Sequence, residues 1–132
     1  MIEVLASPCV MFNFEKLDVW QRANELADLV YRVTRNFPDD ERFGLTNQMR
    51  RAAVSVSSKI AEGSARCSRS DNARFLEIAT GSLFEVVAQS FISRRQGFLS
   101  DPDFTMLYTS ADELGRMLSG LRRSLLEGAR QR

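Results

Sequence analysis

Histidine is missing altogether from the 132 residues. Its absence removes imidazole metal ligands, a Ser-His or Cys-His nucleophile pair, and the one side chain that titrates near neutrality unaided. Cysteine is nearly as scarce. Cys9 and Cys67 are far apart and in no ligand spacing, so neither a disulfide framework nor a zinc site is expected. That usage suits a cytoplasmic protein. There is no run of about 18 consecutive apolar residues of the kind that spans a bilayer, so no membrane partner is expected. The opening residues 1–12 carry Glu3 where a signal peptide would carry basic residues. Met11 stands just ahead of the patterned sequence, so residues 1–10 are expected to be a dispensable extension or the product of a misplaced start, with Met1 and Met11 both candidates. Gly-rich phosphate loops, nucleophile elbows and metal motifs are lacking too, so the expectation is no enzyme, no metal and no cofactor. Nor is there an excess of one charge: 18 Lys and Arg face 17 Asp and Glu. Any electrostatic function therefore has to be local.

What the chain does have is helical periodicity. Val19, Ala23, Leu26, Val30, Val33 and Phe37 recur at steps of three and four, which predicts a helix over about 18–37. Asp18 and Gln21 suggest its N-terminal cap, and Pro38 its stop. Leu45, Met49, Ala53, Val56 and Ile60 mark a second helix, about 43–64, with Gly63 as a C-cap residue. Ser68 and Asp71 open a third, about 69–96, on the stripe Phe75, Ala79, Ser82, Val86, Gln89 and Ser93. Residues 83–92 are apolar nearly all round, which points to burial on two sides. Ser100, Pro102 and Asp103 start a fourth, about 101–127, whose leucines keep the same alternation.

Four such helices on short connections imply an all-α, single-domain, antiparallel up-down-up-down four-helix bundle over 14–127. Residues 1–13 form an extension and 128–132 a tail. Small residues crowd the second helix, from Ala52 to Ala65, and let another helix approach closely. With the all-round apolar stretch of the third helix, they favour a homo-oligomer.

The near-neutral total conceals a separation of charge. Residues 1–41 hold four cations and eight acids, a net −4, whereas 42–74 hold seven cations and two acids, a net +5. Gln48, Arg51, Ser55, Lys59, Glu62 and Arg66 fall on one polar stripe of the second helix. One reading is a ridge that contacts phosphates. The other is a solvated or interfacial face on which Glu62 pairs with Arg51, Lys59 or Arg66. Glu85, with Ser82 and Gln89 a turn to either side, is expected in a buried polar network completed by an arginine of the second helix. Trp20 and Tyr31 read as core aromatics in preference to base-stacking platforms.

The segments FEKLDVWQRANEL (14–26), NFPDDERFGLTNQMRRAAVSVSSKIAEGSAR (36–66) and SDNARFLEIATGSLFE (70–85) resemble the bacterial four-helix bundle proteins encoded in intervening sequences of 23S ribosomal RNA genes. The resemblance covers about 14–126. It implies a four-helix bundle assembled as a homopentamer, with likeness to the accessory variability protein of diversity-generating retroelements, a basic pentamer that engages a reverse transcriptase and nucleic acid. Arg51, Glu62, Gly63, Arg66 and Arg74 match the family pattern. Ser57 and Lys59 stand where the family usually has Pro and Asn, which removes an expected helix break and adds a charge. The combined expectation is a non-enzymatic oligomer that binds RNA or an RNA–protein complex through Arg51, Lys59, Arg66, Arg69 and Arg74. The alternative is a protein-interaction scaffold, with Gln48, Ser55, Glu62 and Glu85 forming a polar stripe or subunit contact.

Overall fold

The structure, a computed structural model, describes residues 13–130, with side chains described as far as Gly128. The expectations for the N-terminal extension and the start site lie outside the described residues. Four α-helices follow one another: α1 (Asp18–Thr34), α2 (Leu45–Ser64), α3 (Arg69–Arg95) and α4 (Asp101–Arg130). Single 3-10 turns precede α1 (Asn13–Lys16) and α2 (Asp39–Glu41). Each helix packs on two neighbours, α1 on α2 and α4, α3 on α2 and α4. The diagonal pairs make no close backbone approach, so the four form a ring around one core, as the spacing predicts.

The stripes read from sequence become that core. Ala23, Leu26 and Val30 from α1 meet Met49, Val56 and Ile60 from α2, Leu76, Leu83 and Val86 from α3, and Leu107, Leu114 and Leu118 from α4. Each of the larger side chains contributes about 1.5–3 kcal/mol on burial. Polar groups inside the bundle are matched across helix pairs. Ser57 Oγ donates to Asn24 Oδ1 at 2.7 Å, Ser55 and Ser82 share a hydrogen bond of 2.9 Å, and Ser93 Oγ reaches Met49 Sδ at 3.5 Å. These short side chains let α2 lie close to α1 on one flank and α3 on the other. With Ser57 in place of proline, α2 runs unbroken to Ser64.

Several expected boundaries move. α1 ends at Thr34, three residues early, because the Thr34 hydroxyl donates back to the Val30 carbonyl at 2.7 Å and also accepts from Arg50 Nε at 2.9 Å. The chain then leaves α1 through tight turns, Arg35 to Arg32 and Phe37 to Thr34. Asp18 does not cap α1. Leu17 takes that position without a side-chain hydrogen bond, and Gln21 Nε2 instead donates to the Glu15 carbonyl, tying down the preceding 3-10 turn. α2 starts at Leu45, whose N–H donates to Glu41 Oε1 at 2.9 Å. Ser68 does cap α3, its hydroxyl accepting from the Asp71 N–H at 3.1 Å, and Ser100 accepts from Asp103 in the same way. Gly97, at φ +82°, ends α3. α4 continues to Arg130, so the expected tail is partly helix. Cys67 is disulfide-bonded, against the expectation from cysteine spacing.

α3 is apolar enough over 18 residues to match a membrane span in length and composition, yet only 33% of that stretch is buried within the bundle. Its remaining apolar surface faces outward.

Candidate functional site

The cations expected to act together fall into two groups along α2. The first sits at the corner where α2 turns into α3. Gly63 makes this corner possible: a Cβ there would stand 2.8 Å from both Asn72 Oδ1 and Phe75 Cβ, so only glycine lets the two helices close to this distance. Gly63 is therefore buried inside α2 and does not serve as a C-cap. Closure brings Phe75 under Arg66, whose guanidinium lies 4.6 Å from the ring centroid. Arg69 follows in the first turn of α3 and leans on the end of α4, where its guanidinium lies 2.5 Å from the position a Cβ on Gly128 would take. Arg74 is exposed one turn further along α3. Arg66, Arg69 and Arg74 enter no ion pair among the described residues, whereas Arg122 nearby is held by Glu77 at 3.5 Å. Lys59 is also held, its Nζ 3.0 Å from Glu62 Oε1. Of the three partners that sequence offered Glu62, the structure selects Lys59.

The second group lies higher on α2, where Gln48, Arg51, Ala52 and Ser55 form one wall of a groove of about 390 Å³ and Glu85 and Gln89 of α3 form the other. The stripe residues Gln48, Arg51 and Ser55 thus do meet Glu85, but not as expected. Glu85 is exposed and outside any buried network, because the α3 residues that turn inward beside it are Ser82 and Val86. Ser82 takes its hydrogen bond from or gives it to Ser55. Arg51 faces Glu85 without an ion pair among the described residues. Gln89 Oε1, by contrast, is a buried acceptor with no hydrogen-bond partner among the described residues. Arg51 and the end of α2 at Ser64 are about 20 Å apart at 1.5 Å per residue, so groove and corner cannot share one small ligand.

A third surface lies between α3 and α4, a groove of about 820 Å³ lined by Phe84, Val87, Phe91, Tyr108 and Gly115, with Arg116 and Arg123 at its rim. Phe84 is 69% exposed, and Ile78 and Ile92 are further exposed apolar residues of α3, outside this groove. The all-round apolar stretch was legible in sequence, but its second side is open within the single chain. Of the aromatics, Trp20 packs partly buried against the core, edge-on to Phe14. Tyr31 does not join the core; Arg50 covers its ring at 4.6 Å. Arg94 stacks on Phe104 at 3.9 Å and on Phe91 at 5.6 Å. Phe75 and Gln89, read as stripe positions, are only partly buried.

The α1–α4 side carries an ion pair, Arg22 to Glu113 at 2.6 Å, and that hydrogen bond raises the pKa of Arg22 further above neutrality. Among the described residues no cluster of acidic or thiol groups is placed to hold a metal ion. What the arrangement offers is a set of guanidiniums outside any ion pair among the described residues, and a polar groove beside them. No curated protein matches the sequence. Residues 15–120 match the family described as 23S rRNA-intervening sequence protein, a region that holds α1, α2, α3, the first two thirds of α4, Gly63 and Arg66. The chain belongs to the 23S rRNA-intervening sequence protein family.

Proposed function

We propose that this protein is a non-enzymatic, self-associating helical bundle that binds RNA, alone or in an RNA–protein complex, through its basic α2–α3 face. The observation that supports the reading is the α2–α3 corner: Arg66, Arg69 and Arg74 lie within nine residues around it and lack carboxylate partners among the described residues. Guanidiniums in that state are available to phosphate oxygens, and each phosphate neutralised releases counterions. Arg51 extends the same face up α2. Lys59, committed to Glu62, contributes less. Self-association multiplies the local charge, and the exposed apolar groove between α3 and α4 is the surface we assign to it, in a homopentamer such as the family resemblance implies.

The test is binding of a labelled RNA hairpin by the unmodified chain and by the Arg66→Glu, Arg69→Glu double variant, each across a salt series. Binding is expected to weaken at least about tenfold, and the slope of log K against log salt to fall by about 1.4–1.8 for two lost phosphate contacts. Unchanged affinity in the double variant overturns the reading. The exposed Phe84 surface favours a second reading, a scaffold that binds only protein; it predicts no RNA binding by the unmodified chain at any salt concentration.

A further inference from the structure

One aromatic side chain stands almost wholly outside the bundle. Phe43, 85% exposed, lies in the α1–α2 connection, between the acidic 3-10 turn and the start of α2. That connection is braced: the Gly44 N–H donates to the Glu41 carbonyl at 2.9 Å, and the Glu41 carboxylate accepts from the Leu45 N–H at 2.9 Å. Phe43 is thus carried on a hydrogen-bonded turn beside the exposed Asp39 and Asp40, with the Arg42 guanidinium 5.9 Å from its ring. Asp39, Asp40, Glu41 and Arg42 give the projection a net −2. The α3–α4 groove has the complementary character. Ala88, Ala111 and Gly115 have little or no side chain and line it together with the larger Phe84, Phe91 and Tyr108, so the surface is both apolar and concave. Arg116, Arg123 and Asp112 supply its charge, a net +1. Arg116 holds Asp112 at 3.2 Å, whereas Arg123 enters no ion pair among the described residues. The α3–α4 seam lies across the ring of helices from the α1–α2 connection, so a chain does not seat its own Phe43 in its own groove.

We infer that the occupant of the α3–α4 groove is Phe43 of a second copy of this chain, with the acidic turn of that copy set against Arg123 and Arg116 at the rim. The inference rests on the self-association reading above, and deepens it by naming the segment that docks. An aromatic anchor in an apolar pocket, ringed by charges of opposite sign on the two sides, is how specific protein contacts are commonly built. A turn already braced by its own hydrogen bonds loses little freedom on docking. Because knob and groove occupy opposite sides of one bundle, the contact is heterologous: each copy gives its Phe43 to one neighbour and receives that of another. Such a contact does not close on two copies, and continues into a ring or an open filament.

The experiment measures particle mass by multi-angle light scattering for the unmodified chain, Phe43→Ser, Gly115→Leu and an equimolar mixture of the two variants. Phe43 lies almost outside the fold, and a Cβ on Gly115 meets only Leu83 Cδ2, at 3.5 Å, so both variants are expected to keep their helical circular dichroism. The unmodified chain is expected at about three or more times the single-chain mass, and each variant alone at the single-chain mass. Mixed, they are expected to reach about twice that mass and no more, because the intact Phe43 of one variant enters the open groove of the other and no second contact can follow. A mixture that stays at the single-chain mass overturns the inference. So does a Phe43→Ser variant that keeps the unmodified mass; if Gly115→Leu loses mass in that case, the groove remains the assembly face with another segment in it. An unmodified chain that stops at two copies also overturns the inference, since a closed pair meets through one self-complementary face. A single-chain mass for the unmodified chain overturns self-association as well, and leaves the groove to a different protein. Should Gly115→Leu fail to fold, Phe84→Asp takes its place in the mixture with the same outcomes.

Discussion

Gly63 shows how much a single residue settles. Helix interiors disfavour glycine by about 1 kcal/mol relative to alanine, so Gly63→Ala would stabilise an isolated α2. In this chain the added Cβ meets Phe75 Cβ at 2.8 Å and the Asn72 carbonyl at 3.3 Å, neither of which is the free end of a flexible side chain. Crowding of that kind costs about 1–3 kcal/mol and outweighs the propensity gain. Gly63→Ala is expected to lower stability by about 1 kcal/mol in urea denaturation; a stabilised variant would mean that the corner opens without penalty. Sequence located this glycine but gave it the wrong task, since a glycine near a helix end and a glycine at a helix crossing look the same until the partner helix is known. Glu85 illustrates the same limit. Its inward neighbours Ser82 and Val86 were readable from a three-four spacing, but a rotation of a few tens of degrees decides whether the next residue is inside or outside.

Helices were more legible than the residues on them. Alternating apolar steps placed all four, and the hydroxyls Ser68 and Ser100 cap α3 and α4 where their spacing says they should. Ser68→Ala removes the acceptor for the Asp71 N–H, and is expected to cost about 1 kcal/mol, seen as a lowered thermal midpoint. No change in the midpoint would show that the first turn of α3 is held by the Gly63 crossing alone. Where boundaries slipped, the cause was a bond between helices. α1 ends early because Thr34 is shared with Arg50 of α2, a partner sixteen positions away that no local pattern reveals. The two-sided apolar character of α3 was plain in the sequence; which side stays open was not, because that depends on how three neighbours share its circumference.

For the whole molecule, the net charge of +1 is a poor guide, since it joins an acidic N-terminal third to a basic corner. In the proposed assembly the corner's field grows with every copy brought alongside, which would link assembly to binding. Phe84, 69% exposed at the edge of the α3–α4 groove, is the place to separate them. Phe84→Asp is expected to reduce the particle mass in multi-angle light scattering while leaving the helical circular dichroism intact. An unchanged mass would remove this face from the assembly. The overall ring of helices could be read from sequence because one repeating spacing generates it. The candidate site could be read only in part, since Arg66, Arg69 and Arg74 are close in the chain, whereas the groove unites residues about forty positions apart.

Arg69 rests on Gly128, near the far end of the chain. That contact gives α4 a say in the aim of a side chain it does not carry. A methyl group at position 128 would displace only the mobile tip of an arginine, so the fold would barely register it, while the direction of that guanidinium would change. The last turn of α4 is thus a set-screw on the basic corner: small changes there adjust how the charge is presented without altering how much of it there is.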